Sequence, residues 1–175
     1  MQRPLSDEYG EGYERYLSLV PDGDYLNLLK QNSIETVNYF GAVPDEKLHY
    51  KYADGKWTIK EVFMHMIDTE RVFSYRGLAA ARGDTSTHYR MDEELYAGNV
   101  DVAQRTLQSL ISEFKAVRVS TEYLYAHLTD SQSKGQCNIV THPMTARAIG
   151  YFLIGHVKHH LNIINQRYLN FDPGN

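Results

Sequence analysis

Apolar positions recur every three to four residues over four long stretches of the chain. In the first, Leu26, Leu29, Val37 and Phe40 share a face with Ser33, which predicts a helix from about Asp22 to Phe40, capped by Asp22 or Asp24. Residues 41–56 carry Gly and Pro punctuation and read as a loop. The second stretch opens with Thr58-Ile-Lys-Glu61. This is a capping box: the threonine side chain takes the amide of residue 61, and the glutamate takes the amide of residue 58. Trp57 and Val62 stand at the flanking staple positions. The helix runs to about Arg82, where Gly83 stops it. Apolar residues cover most of its circumference, so it belongs in the centre of the fold.

A connection over residues 83–100 follows, longer than small helical domains usually need and long enough to carry the chain back along a bundle. The third helix is predicted to start at Asp101, with Gln104 completing a capping pair, and its stripe runs through Leu107, Leu110, Ile111, Phe114, Val117, Thr121, Leu124 and Leu128. Residues 129–143 read as a loop with a short extended piece at Cys137–Val140. The fourth helix starts near Pro143 or Thr145 and reaches about Leu169. No convincing strand pair is visible. The pattern predicts an all-α four-helix bundle with a long crossover between helices two and three. It divides the chain into an irregular lead-in (1–21), a single domain (22–170) and a short tail (171–175).

Histidine placement changes the picture from fold to chemistry. On a wheel of about 100° per residue, His156 and His160 fall within about 60° of Ile149, Phe152, Leu153, Ile163 and Arg167, in the core-facing stripe of helix four. His159 lies at the edge of that face. An i,i+4 pair points two imidazoles the same way, so both can reach one ion. The pair alone is equally compatible with packed, hydrogen-bonded core histidines. Helix two offers a third donor: His65, between Met64 and Met66, with Val62, Thr69 and Val72 on its side. Asp68 is placed either to orient the His65 ring or to pair with Arg71. His49, His88 and His142 fall in loops, and His127 lies near the end of helix three.

Three imidazoles without a fourth protein ligand describe an open site of the kind that keeps a position for water or substrate. Neutral nitrogen donors suit Zn²⁺ or Ni²⁺ first, with Fe²⁺ and Mn²⁺ also compatible. Other chemistries lack their motifs. Val157 and Lys158 exclude H-E-x-x-H, and the one Glu-x-x-His, Glu46 to His49, lies in a loop, where a di-iron bundle would need two on helices. No G-x-S-x-G, Walker A or G-x-G-x-x-G occurs. A formal charge of −4 with scattered Lys and Arg argues against nucleic acid as a partner. No apolar run approaches the length of a membrane span, and the polar N-terminus lacks the apolar segment of a signal peptide. The single cysteine, Cys137, fits a reducing cytoplasm and is a weak candidate nucleophile.

The stretches "KWTIKEVFMHMIDTERVFSYRGL" and "HPMTARAIGYFLIGHVKHHLNIINQRYL" resemble the DinB/YfiT-like family of bacterial metalloenzymes. A Trp-Thr-x-x-Glu helix opening, a mid-helix His and a late His-x-x-x-His occur together and in order, and the likeness extends over most of the chain. The resemblance implies a four-helix bundle whose metal ligands are His65, His156 and His160, and it does not include His159. It also implies a hydrolase or a thiol S-transferase, relatives of the second kind using low-molecular-weight thiols of the bacillithiol or mycothiol type.

Together these readings predict a cytoplasmic metal-dependent enzyme that activates water or a thiol cosubstrate against a small-molecule substrate, with no nucleic acid and no membrane as partner. Trp57, Phe73, Phe152 and the 83–100 segment would wall its pocket, with Arg76, Tyr89 or Tyr96 available to orient a polar substrate. No obvious acid–base carboxylate stands beside the histidines, which leaves a non-catalytic metal or small-ligand binding bundle as the alternative. Ile154 and Leu161, seven residues apart on helix four, are placed to pack on another helix or to form a homodimer.

Overall fold

Four polar side chains set where the long helices begin in the computed structural model, which describes residues 1–140 and 142–169. After a single helical turn, α1 (Glu14–Leu17), Asp24 accepts from the Asn27 amide and opens α2 (Tyr25–Gly41). Thr58 opens α3 (Ile59–Ala81), and both halves of the expected capping box are formed with Glu61. A short helix, α4 (Glu93–Gly98), capped by Asp92, lies within the long connection. Thr106 opens α5 (Leu107–Ala126), a short α6 (Asp130–Ser133) follows, and Thr145 opens α7 (Ala146–Ile164). Each cap satisfies one of the amides that a helix start leaves unpaired. The result is the predicted four-helix bundle of α2, α3, α5 and α7, with the long connection between α3 and α5. None of its described helices is long and apolar enough to cross a membrane.

Helix α5 is capped by Thr106, five residues later than the Asp101 cap that the sequence pattern gives. Asp101 spends its carboxylate on the amide of Ala103, closing a local turn in place of a helix cap, and Val102 is buried under the bundle. A small sheet also stands where no strand pair was expected. β1 (Thr87–His88) runs parallel to β2 (Gln136–Ile139), which pairs antiparallel with β3 (His142–Thr145) in the order β1-β2-β3. β2 coincides with the extended piece read near Cys137. The β1 pairing binds the 83–100 connection to the start of α7 and so holds it against one side of the bundle.

The core is divided into two clusters. One gathers Leu17, Tyr25, Phe73, Ile149 and Phe152 around the first half of α7, and the other gathers Phe40, Phe63, Ile67 and Phe114 between α2, α3 and α5. A buried Arg118 grips Glu70 through two hydrogen bonds of 2.7 and 2.8 Å and also donates to Asn32, joining α5, α3 and α2. The N-terminal segment is tied down in the same way. Glu8 accepts from Arg147 and from Thr145 at the start of α7. Further along, Gly155 lets α1 approach: a Cβ there would overlap the carbonyl oxygen of Tyr16. The expected irregular lead-in therefore holds helical turns at Ser6–Glu8, Glu11–Tyr13 and Glu14–Leu17, packed on α7. Asn170 and the expected tail, 171–175, lie outside the described residues. Ile154 is fully buried in the chain's own core and Leu161 is partly buried, so Ile154 offers no face to a second copy.

Candidate metal centre

His65 stands on α3 and His156 and His160 stand one turn apart on α7, the two helices that pack most closely in the bundle. The three imidazoles converge, as the wheel predicts. The Nε2 atom of His156 lies 3.2 Å from that of His65 and 3.1 Å from that of His160. One ligand atom from each ring falls within 4.8 Å of the other two. A central Nε2 carries either one proton or one lone pair, so neutral rings cannot make two good hydrogen bonds at that atom. Three lone pairs directed at one point instead suit a divalent cation.

Burial keeps these rings uncharged. Desolvation pulls the pKa of His65 down to about 4. The pKa values of His156 and His160 are held well below the usual histidine range, first by burial and then by the neighbouring imidazoles. Near neutral pH each ring therefore presents a free lone pair, which a metal ligand requires. Asp68 does not orient His65. It accepts from Arg71 at 3.3 Å, and the Nδ1 atom of His65 is buried without a hydrogen-bond partner among the described residues. On α3 Asp68 stands three residues from both His65 and Arg71, within reach of either, and its carboxylate goes to the Arg71 guanidinium.

The triad opens into a cavity of about 690 Å³. Trp57, Phe73, Phe152 and Arg76 line it as expected, with the Trp57 ring 4.9 Å from that of His65. Tyr89 and Tyr96 do not line it. Tyr89 is 90 % exposed, and the connection presents Met91, Glu93 and Glu94 to the cavity instead. Those two carboxylates were missed because helix α4, which aims them, is only six residues long and has no apolar stripe. Thr69 donates to the Met91 sulfur and Arg76 to the Tyr89 carbonyl, holding the connection across α3. Tyr13 and Tyr16 form a wall that the sequence pattern also hides. Tyr16 packs edge-on against His159, and Tyr13 packs edge-on against Phe152. His159 is half-buried beside the triad and outside it.

His142 reaches the cavity wall from β3, while His88 lies in β1 and His127 ends α5. Cys137 is buried in β2 and its thiol faces the Arg76 carbonyl oxygen at 3.7 Å. Burial raises its pKa, so it stays a thiol and is a poor nucleophile.

Comparison with known proteins places this geometry in context. Residues 28–164 match the family model of the DinB superfamily. Among solved structures, the chain is similar to YfiT from Bacillus subtilis, described as "a probable metal-dependent hydrolase with an unusual four-helix bundle topology". The TM-score is 0.73 at 17 % identity, over 94 % of this chain and 90 % of that one. None of the curated proteins matches.

Proposed function

Because the chain belongs to the DinB superfamily, we propose that it is a metal-dependent enzyme whose His65, His156 and His160 hold one divalent ion beside a small-molecule cavity. The observation that carries this reading is the convergence of three neutral imidazoles from two helices, His156 buried and His65 and His160 partly buried, with no carboxylate or fourth ligand in the group among the described residues. Zn²⁺ or Ni²⁺ suits such a donor set best. When bound, the ion lowers the pKa of a water or thiol and so supplies a nucleophile near neutral pH.

The chain's own residues define the rest. Trp57, Phe73 and Phe152 exclude water around the reacting end. Glu93 and Glu94 put carboxylates on the cavity wall, where they can accept or return a proton. Their presence favours the enzyme over a non-catalytic binding bundle, the second reading. The finer choice lies between hydrolysis, with water as nucleophile, and S-transfer, with a low-molecular-weight thiol.

Two assays on zinc-loaded protein separate these readings. One follows 4-nitrophenyl acetate hydrolysis; the other follows displacement of chloride from 1-chloro-2,4-dinitrobenzene by the cysteine thiol, which forms the C–S bond as the C–Cl bond breaks. The proposal expects one of the two activities, lost in His65→Ala and sharply reduced in Glu93→Gln with Glu94→Gln. Metal-replete protein silent in both assays would leave the binding reading standing.

A further inference from the structure

The chain buries three arginines almost completely. Arg118, Arg147 and Arg76 are 0 %, 5 % and 4 % exposed. Two of them grip a carboxylate with both prongs of the guanidinium: Arg118 takes Glu70 and Arg147 takes Glu8. Arg76 has no such partner. Its Nη2 donates to the Tyr89 carbonyl oxygen at 2.5 Å, and its guanidinium carbon lies 4.4 Å from the centre of the Phe73 ring. Its Nε and Nη1 have no acceptor among the described residues. A guanidinium stays charged at any working pH, and a buried charge without a counter-charge is costly. Nη2 carries a second N–H, which together with Nε or Nη1 leaves one two-donor edge of the kind that grips a carboxylate in Arg118 and Arg147.

Arg76 lines the same cavity as the histidines. His65, Thr69, Phe73 and Arg76 form one stripe along α3, at spacings of four, four and three residues. Eleven residues at about 1.5 Å each put Arg76 about 16 Å along the helix from His65. The stretch between them carries the Phe73 and Phe152 rings, packed at a tilt with centroids 4.2 Å apart. The other cavity arginines are not comparable. Arg90 is exposed and pairs with Glu93, and Arg15 is exposed and donates to the Tyr16 hydroxyl.

We propose that Arg76 anchors a carboxylate of the substrate, so that the cavity takes an elongated anionic molecule with an apolar middle on Phe73 and Phe152 and its reacting end at the histidines. The placement of the reacting end rests on the metal reading above, whereas the carboxylate grip rests on Arg76 alone.

The test compares 6-phenylhexanoate with its neutral amide, 6-phenylhexanamide, by isothermal titration calorimetry on the full chain. Wild type, Arg76→Gln and Arg76→Lys are each measured stripped by chelator and loaded with zinc, and the metal content of every sample is determined. Wild type should prefer the acid by about tenfold or more in both states, as one charge-assisted pair provides. Arg76→Gln should bind both probes alike, and Arg76→Lys should keep part of the preference through charge without the fork. A merely structural Arg76 would lower the melting temperature of the variants without moving the acid-to-amide ratio. Wild type that binds acid and amide equally overturns the proposal whatever the variants do, and so does a preference that survives in folded Arg76→Gln. An Arg76-dependent preference in protein that takes up no metal supports the anchor and defeats the metal reading. Stoichiometric metal without the preference does the reverse.

Discussion

Lowering the pH on metal-free protein tests the state of the triad directly. The pKa of His65 is about 4 in the folded chain, against 6.5 for a free histidine. Below pH 6.5 the unfolded chain takes up a proton that folded His65 refuses, so stability falls as pH falls and the loss ends near pH 4. Between pH 7 and pH 5 this linkage amounts to about 2 kcal/mol for His65 alone. His156 and His160 are shifted the same way by burial and add to the loss. The depressed carboxylates Glu8 and Glu113 contribute stability that disappears only as pH falls through their folded pKa values, below 4.5, so they stay out of this window. Urea unfolding of chelator-stripped protein at pH 7, 6 and 5 gives the slope, and His65→Asn should lose about 2 kcal/mol less than wild type over the same range. Added zinc should stabilise strongly at pH 7 and progressively less toward pH 5, because protons compete for the same lone pairs. Equal stability at pH 7 and pH 5, or identical slopes for wild type and His65→Asn, would refute the account of neutral, buried imidazoles.

Other expectations concern the supports of the site. Gly155→Ala forces a side chain against the Tyr16 backbone and should cost about 1–3 kcal/mol; limited proteolysis should then cut within residues 1–21 faster than in wild type. Glu70→Ala strands the fully buried Arg118 and should cost about 3–5 kcal/mol in denaturant melts, whereas an apolar replacement of both partners should cost far less.

The features legible in the sequence are those that a single helix specifies. The capping box at Thr58 needs only four consecutive residues, and the pairing of His156 with His160 follows from one helical turn. The placement of His65 was legible for the same reason, as a histidine on the inward side of its own helix. The features that were hidden depend on residues far apart in the chain. β1 has two residues, and its register with β2 spans some fifty positions, so no local alternation announces it. Glu8 meets Arg147 across 139 residues, and without that contact Tyr13 and Tyr16 read as part of a polar lead-in. Asp101 and Thr106 are both good caps in isolation, and the burial of Val102 decides between them. Asp68 carried two readings, and the partner on its own helix flank, Arg71, won.

The chain's only tryptophan, Trp57, lies against His65 and makes the central claim measurable in solution. Titration of stripped protein with Ni²⁺, a quencher of nearby indole emission, should quench Trp57 in one step that saturates at one ion per chain. His65→Ala, His156→Ala and His160→Ala should each abolish that step and retain no stoichiometric metal by mass spectrometry. Quenching without saturation at one equivalent, or an unchanged step in all three variants, would contradict a three-histidine centre.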